Sequence, residues 1–233
     1  MSQSLPRGVI ALLGLLVAGA AGAQVSGSVT LVSDYRYRGV SLSDENPAAQ
    51  FSVAYDHSSG WYAGVFGSTT QLANQSGRNP QLFSYLGYMR RMRSGLNWEV
   101  GTGYSAFAGY HDDDYPEVYW GIASDNLSGR IYYASNYFGQ STSMLYAELN
   151  GSRPLSGRFR LLGHIGVLHR NNTSATSGES GHYQYDVRAG ISIDLNSTRI
   201  ELTAVTTDSD STVYPVSGTQ KRHALVMSLS RSF

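Results

Sequence analysis

Residues 111–115 read HDDDY and set an imidazole beside three carboxylates. Carboxylates at this density can take a calcium ion, and one of them with the histidine can activate water for hydrolysis. The same run also suits a solvated acidic loop, or one holding cations that bridge lipopolysaccharide phosphates. Spacing alone gives no ligand geometry, so the solvated loop is the preferred reading. Two other histidines, His164 and His169, have no serine at an obvious paired position. No G-x-S-x-G, zinc-ligand spacing or phosphate-binding loop occurs, so no enzyme and no cofactor is expected. The remaining chemistry lies in charges at every second residue. SDYRYRGVS, residues 33–41, puts Asp34, Arg36 and Arg38 on one parity of an alternating run. In a soluble protein that pattern would drive charge into a core.

The elements that must carry these charges are strands. Period-two alternation recurs over Val25–Tyr37, Ala48–Asp56, Gly60–Ser68, Gln81–Arg90, Leu96–Ala106, Tyr115–Ser124, Leu127–Tyr137, Thr142–Asn150, Phe159–His169, His182–Asp194, Thr198–Thr207 and Arg222–Phe233. Segments of this length suit tilted membrane strands. Short turns (HSSG, RMRSG, DN, GSRPLSGR, LNS) alternate with longer polar loops at 38–47, 69–80, 107–114, 170–181 and 208–221. Only the 138–141 connection breaks the rule. Long–short alternation over an even number of strands puts both termini on the short-turn side, as in a bacterial outer-membrane barrel.

Composition agrees. The first 23 residues carry one cation, Arg7, then an apolar run and Ala21-Gly22-Ala23, which predicts an export signal cleaved before Gln24. The remaining 24–233 hold 16 basic and 17 acidic residues, so no basic field for nucleic acid exists. The chain has no cysteine, which leaves backbone pairing or a large core to stabilise it. Tyrosine (17) is abundant, as strands favour, and the many glycines (26) disfavour helices.

A soluble β-sandwich could show the same alternation. Position along the strand separates the two. On the apolar parity the aromatics sit at strand ends: Tyr55, Trp61, Trp98, Phe159 and Phe233 near the short turns, Tyr35, Tyr37, Tyr104, Tyr137, Tyr183 and Tyr185 near the long loops. Two aromatic girdles around an aliphatic band predict a lipid-facing wall. The fourth segment is ambiguous, since Leu82/Leu86 and Phe83/Tyr85 are both apolar.

With the apolar parity outside, the charges face a lumen. Asp34, Arg36 and Arg38 then lie near its external mouth. Asp56, Glu99, Glu117, Arg130, Glu148, Arg160, Asp186, Arg188, Arg199 and Glu201 follow by the same parity. Arg130, Glu148 and Arg160, on three successive strands, are expected at one height near the short-turn side, with Arg199 and Glu201 at a similar level. Such a belt either bridges itself and fills the lumen or forms a polar, charge-selective pore.

SDYRYRGVS, followed by NPAAQFSVAYDH and GWYAGVFGS, resembles the Gcw_chp family of proteobacterial outer-membrane proteins, the TorF-type porins. The match covers about residues 28 to 68, with Asp34, Tyr35, Arg38, Gly39 and Ser41 as the family-like positions and Pro47 and Ala48 fitting the second block. The resemblance implies an outer-membrane porin and brings no catalytic residues. The alternating last strand, HALVMSLSRSF, ends on Phe233 and is similar to the sorting signature of outer-membrane barrels.

The sequence therefore predicts an all-β, up-and-down antiparallel transmembrane barrel of about 12 strands in a bacterial outer membrane, passing small polar or ionic solutes. Its expected partners are the lipid bilayer, lipopolysaccharide and, during biogenesis, the barrel assembly machinery. An outer-membrane enzyme using loop carboxylates and a closed adhesive barrel are the alternatives.

Overall fold

Side chains leave a strand alternately on opposite sides, so a strand with one apolar and one polar parity settles between two solvents. The structure, a computed structural model describing residues 23–73, 77–171, 182–208, 214–216 and 220–233, joins such strands into one closed wall. In chain order the strands are β1 (Ala23–Val32), β2 (Arg36–Tyr37), β3 (Val40–Ser41), β4 (Ala48–His57), β5 (Trp61–Thr70), β6 (Asn79–Arg91) and β7 (Asn97–Phe107). They continue with β8 (Tyr115–Ala123), β9 (Leu127–Ala134), β10 (Ser143–Ser156), β11 (Phe159–Asn171), β12 (His182–Leu195), β13 (Thr198–Thr207) and β14 (His223–Ser232). Among the described residues, twelve of these form an antiparallel barrel, and β1 closes the ring by pairing with both β4 and β14. Closure removes the unpaired edges that lipid could not satisfy. The expected signal lies, apart from Ala23, outside the described residues.

The outward parity is apolar. Leu31, Val118, Ile131, Ile165, Ile191 and Met227 are all exposed on it. Near the short turns Trp61, Tyr88 and Trp98 touch ring to ring, with centroids 5.4 and 5.8 Å apart. Near the long loops Tyr104, Tyr133, Tyr183 and Tyr185 are exposed. Leu82 and Leu86 also point outward, which resolves the ambiguous segment and leaves Phe83 and Tyr85 inside. Phe233 extends the seam: its N–H donates to the Gly27 carbonyl and its own carbonyl accepts from the Gly27 N–H, both at 3.0 Å. Its ring covers Gly27, where a Cβ would meet it at 2.6 Å.

The first strand departs from expectation. It ends at Val32, and residues 33–47 turn inward instead of continuing to Tyr37. The strands β2 and β3 form a separate hairpin closed by Arg38 and Gly39, both at positive φ (49° and 85°). Positive φ at both central residues is the two-residue hairpin turn of type I′, and glycine at the second of them adopts it freely. The consequence is a correction. Tyr35 and Tyr37 are not girdle residues; Tyr35 is buried, and Tyr37 packs against the same cluster. Tyr137 is buried too, because β9 ends at Ala134 and the short 138–141 connection tucks in a 3-10 turn, Tyr137–Gly139. With Leu42, Leu72, Phe107, Tyr115, Phe138 and Tyr214 they form an apolar cluster inside the long-loop end of the barrel.

Candidate functional site

The hairpin crosses the lumen. Its stem leaves β1, and Arg38 Nη2 reaches Glu117 Oε2 on β8 at 2.8 Å, five strands away around the ring. Both side chains are almost fully buried. The guanidinium also lies 4.6 Å from the centroid of Tyr146, 4.7 Å from Tyr37 and 5.2 Å from Tyr132. A buried charge needs this: an ion partner and aromatic faces in place of water. The Arg38 carbonyl accepts from Gln184 Nε2 at 2.9 Å. Gly39, at the tip, presses on the wall so closely that a Cβ there would sit 2.7 Å from the Asp186 Cβ and 2.8 Å from the Thr207 Cβ.

Asp34 and Arg36 hold the stem. Arg36 Nε donates to Asp34 at 2.7 Å, and Nη1 donates to the carbonyls of Gly39 (3.1 Å) and Lys221 (2.9 Å). Glu45, beyond the hairpin, pairs with Lys221 at 2.7 Å and also accepts the Lys221 backbone N–H. The inturned segment is thus clamped to the loop before β14. That clamp lowers the Glu45 carboxyl below its ordinary value, chiefly through the Lys221 hydrogen bond, and the same bond raises Lys221.

Below the hairpin the lumen is polar and hollow. Glu99 accepts from Arg130 Nε at 2.6 Å and from the Tyr62 hydroxyl at 2.6 Å, and Tyr62 bonds Tyr119 at 2.9 Å. Gly121 lies between: a Cβ there would collide with both Glu99 and Arg130, so glycine lets the pair form over β8. Asp186 accepts from Tyr146 at 3.0 Å and lies 2.8 Å from His164 Nε2, whose Nδ1 is 2.6 Å from Asn150.

The expected belt is redistributed. Arg130 and Glu148 are register partners, yet Arg130 turns to Glu99, and Glu148 accepts from Tyr132 at 3.1 Å. Arg160 is not at their height. It is in register with Pro154, whereas Glu148 faces Gly166, and it donates to Ser152 at 2.8 Å. Arg199 pairs with Asp194 at 2.5 Å and reaches Glu201 only at 4.0 Å, near the short turns. Arg188 forms no ion pair among the described residues and lines three cavities.

Those cavities follow one another. One of about 360 Å³ starts at the 124–126 turn and reaches Arg188. Another of about 340 Å³ shares Arg188 and extends to Arg36 beneath the hairpin. A third of about 460 Å³ lies over Glu99 and Arg130 and shares Phe66 with it. Neighbouring cavities share lining residues between the short-turn rim and the hairpin.

The HDDDY run is built as a loop cap. Asp114 Oδ1 accepts the Phe107 N–H at 2.7 Å, and His111 lies 3.1 Å from its other oxygen. Burial, then Asp112 and Asp114, raises the Asp113 carboxyl. No group of three or more metal-ligating side chains occurs among the described residues.

Sequence reasoning missed how the wall is paved. Five lumen rings lie over glycines of the wall. A Cβ on Gly64 would meet Tyr85 at 2.4 Å, and one on Gly87 would meet Tyr62 at 2.4 Å. Phe83 covers Gly103, Tyr119 covers Gly101 and Tyr146 covers Gly166 in the same way. The signal was present as glycines on the inward parity opposite aromatics, legible only once register is known.

The Gcw_chp family model, described as a bacterial protein of unknown function, matches residues 17–233. The chain belongs to the Gcw_chp family. No curated protein matches it. Among solved structures this Gcw_chp barrel is similar to the KdgM porin, with TM-score 0.54 and 10% identity over 89% of this chain and 98% of the porin. An outer membrane channel from Pseudomonas putida F1 is also similar, with TM-score 0.51 and 12% identity over 93% and 97% of the two chains. At these identities the likeness is one of fold: a closed antiparallel barrel shared with outer-membrane channels.

Proposed function

We propose that this Gcw_chp barrel is an outer-membrane porin-like channel for passive diffusion of small polar or ionic solutes. The observation that carries the reading is the run of cavities between the short-turn rim and the hairpin, with charged side chains in their linings. Arg188, Glu148 and the Glu99–Arg130 pair are among the side chains that line the hollow. The outward apolar belt and its aromatic rims fit a lipid bilayer, and the short-turn rim carrying both termini faces the periplasm. Residues 1–23 act as the export signal, Phe233 at the seam is read by the assembly machinery, and the acidic 111–114 loop meets the lipopolysaccharide layer. Asp114 serves the loop's own backbone.

Passage requires the hairpin to be the constriction, since the apolar cluster fills the long-loop end beside it. The same cluster favours a second reading, a shut barrel whose outer loops bind a partner. Ion conductance of the refolded chain in a planar bilayer separates the two. Discrete steps whose selectivity changes with Arg130→Ala or Glu148→Ala support the channel. Silence from a folded barrel supports the shut one.

A further inference from the structure

The lumen has two unlike sides. From β5 to β10 the inward positions carry rings, and five of them reach over wall glycines, so close that a Cβ there would meet the ring edge or hydroxyl at 2.2–2.4 Å. Tyr62, Phe66, Phe83, Tyr85, Tyr119 and Tyr132 line one cavity together. Phe83 and Tyr85 are neighbours on β6, with centroids 5.9 Å apart and 30° between their planes. Across the lumen, β13, β14, β1 and β4 present hydroxyls and an amide instead: Thr203, Ser228, Ser230, Thr30 and Gln50 line one cavity. Arg188 and Arg36 stand at the end where the two sides meet.

Aromatic carbon facing water is unfavourable by itself, and a pore for simple ions gains nothing from it. On the lipid face the same pairing, Phe51 over Gly67 and Phe233 over Gly27, has acyl chains to cover it. Inside, the cover must come from the solute. We infer that the lumen binds a small carbohydrate as it passes. A pyranose ring offers an apolar C–H face that stacks on Phe83 and Tyr85. Its hydroxyls point outward from the ring edge and need the donors and acceptors of the opposite wall. The cavity over Phe83, Tyr85 and Tyr62, about 460 Å³, is of the size in which small ligands are held. This rests on the channel reading for the word passage, but not for the binding itself.

The test uses the full mature chain in detergent, titrated with a disaccharide by calorimetry, and the same protein in a planar bilayer with the sugar added. Phe83→Leu and Tyr85→Leu keep the positions apolar and remove the ring. Both variants are checked for folding by heat-modifiable gel migration. Saturable sugar binding weakened at least tenfold by either variant is the expected result. Ion conductance without sugar binding or current block overturns the inference and leaves the channel standing. Binding without conductance keeps the site and overturns the channel, and absence of both overturns both. Block by a planar aromatic such as indole, with none by sugar, also overturns the carbohydrate assignment. If neither leucine variant folds, Phe83→Tyr, which keeps the ring, must fold and must retain sugar binding; loss of binding there counts against the inference.

Discussion

Arg38 and Glu117, 79 positions apart in the chain, form a buried ion pair of 2.8 Å that spans the mouth of the barrel. The pair fixes the hairpin tip against the far wall. Removing one member of a buried pair leaves the other charge uncompensated, at about 3–5 kcal/mol. Glu117→Ala or Arg38→Ala is therefore expected to unseat the hairpin while the wall, held by its own ladders, stays closed. The check is protease cleavage in the 33–47 segment together with unchanged heat-modifiable migration.

Gly39 tests the seating of the hairpin tip on β12 and β13 sterically. Its φ of 85° is strained for any residue with a Cβ, and the Cβ would also overlap Asp186 and Thr207. Gly39→Val is expected to expel the tip and raise conductance, with the Arg38 and Glu117 side chains intact. A conductance equal to wild type would mean that the tip is not seated at the constriction.

The clamp at the loop end gives a pH dependence. Glu45 is lowered by pairing, so its contribution is present above the ordinary glutamate value of 4.5 and is lost as pH falls through its lower folded value. Lys221 is raised, so its contribution is present below 10.5 and is lost as pH rises through its higher folded value. The clamp is whole between these limits, and acidification below 4.5 should release the loop. Both groups touch solvent, so the effect is small and falls with salt. Current fluctuations recorded from pH 7 to pH 3 should increase on the acid side in wild type. Glu45→Gln should remove that increase.

At the seam, Phe233→Ala uncovers Gly27 and leaves the backbone pair in place. Slower assembly with an unchanged final barrel is expected, measured as the rate at which the heat-modifiable form appears on refolding into vesicles.

Much of the wall was legible because lipid on one side and water on the other impose a strict period of two. Leu127–Ala134 and His182–Asp194 alternate in this way, and β9 and β12 keep those faces. What failed were strand ends. Charge on one parity of residues 33–41 reads identically for a strand running on to the mouth and for a hairpin folded into it, since both put Asp34, Arg36 and Arg38 inside. The Arg38-Gly39 step, suited to a tight two-residue turn, was the cue that distinguished them. Partner choice inside the lumen was hidden for another reason. Register puts Arg130 opposite Glu148, but the absent side chain at Gly121 opens a route to Glu99 that only three-dimensional packing reveals.

The most direct measurement is single-channel conductance of the refolded wild-type chain beside one in which residues 34–46 are replaced by a short Gly-Ser turn joining β1 to β4. If the hairpin is the constriction of a channel, wild type gives discrete steps and the shortened chain gives larger ones with weaker ion selectivity. Silence from both, with both shown to be folded, would mean a lumen closed by more than the hairpin and would contradict the channel.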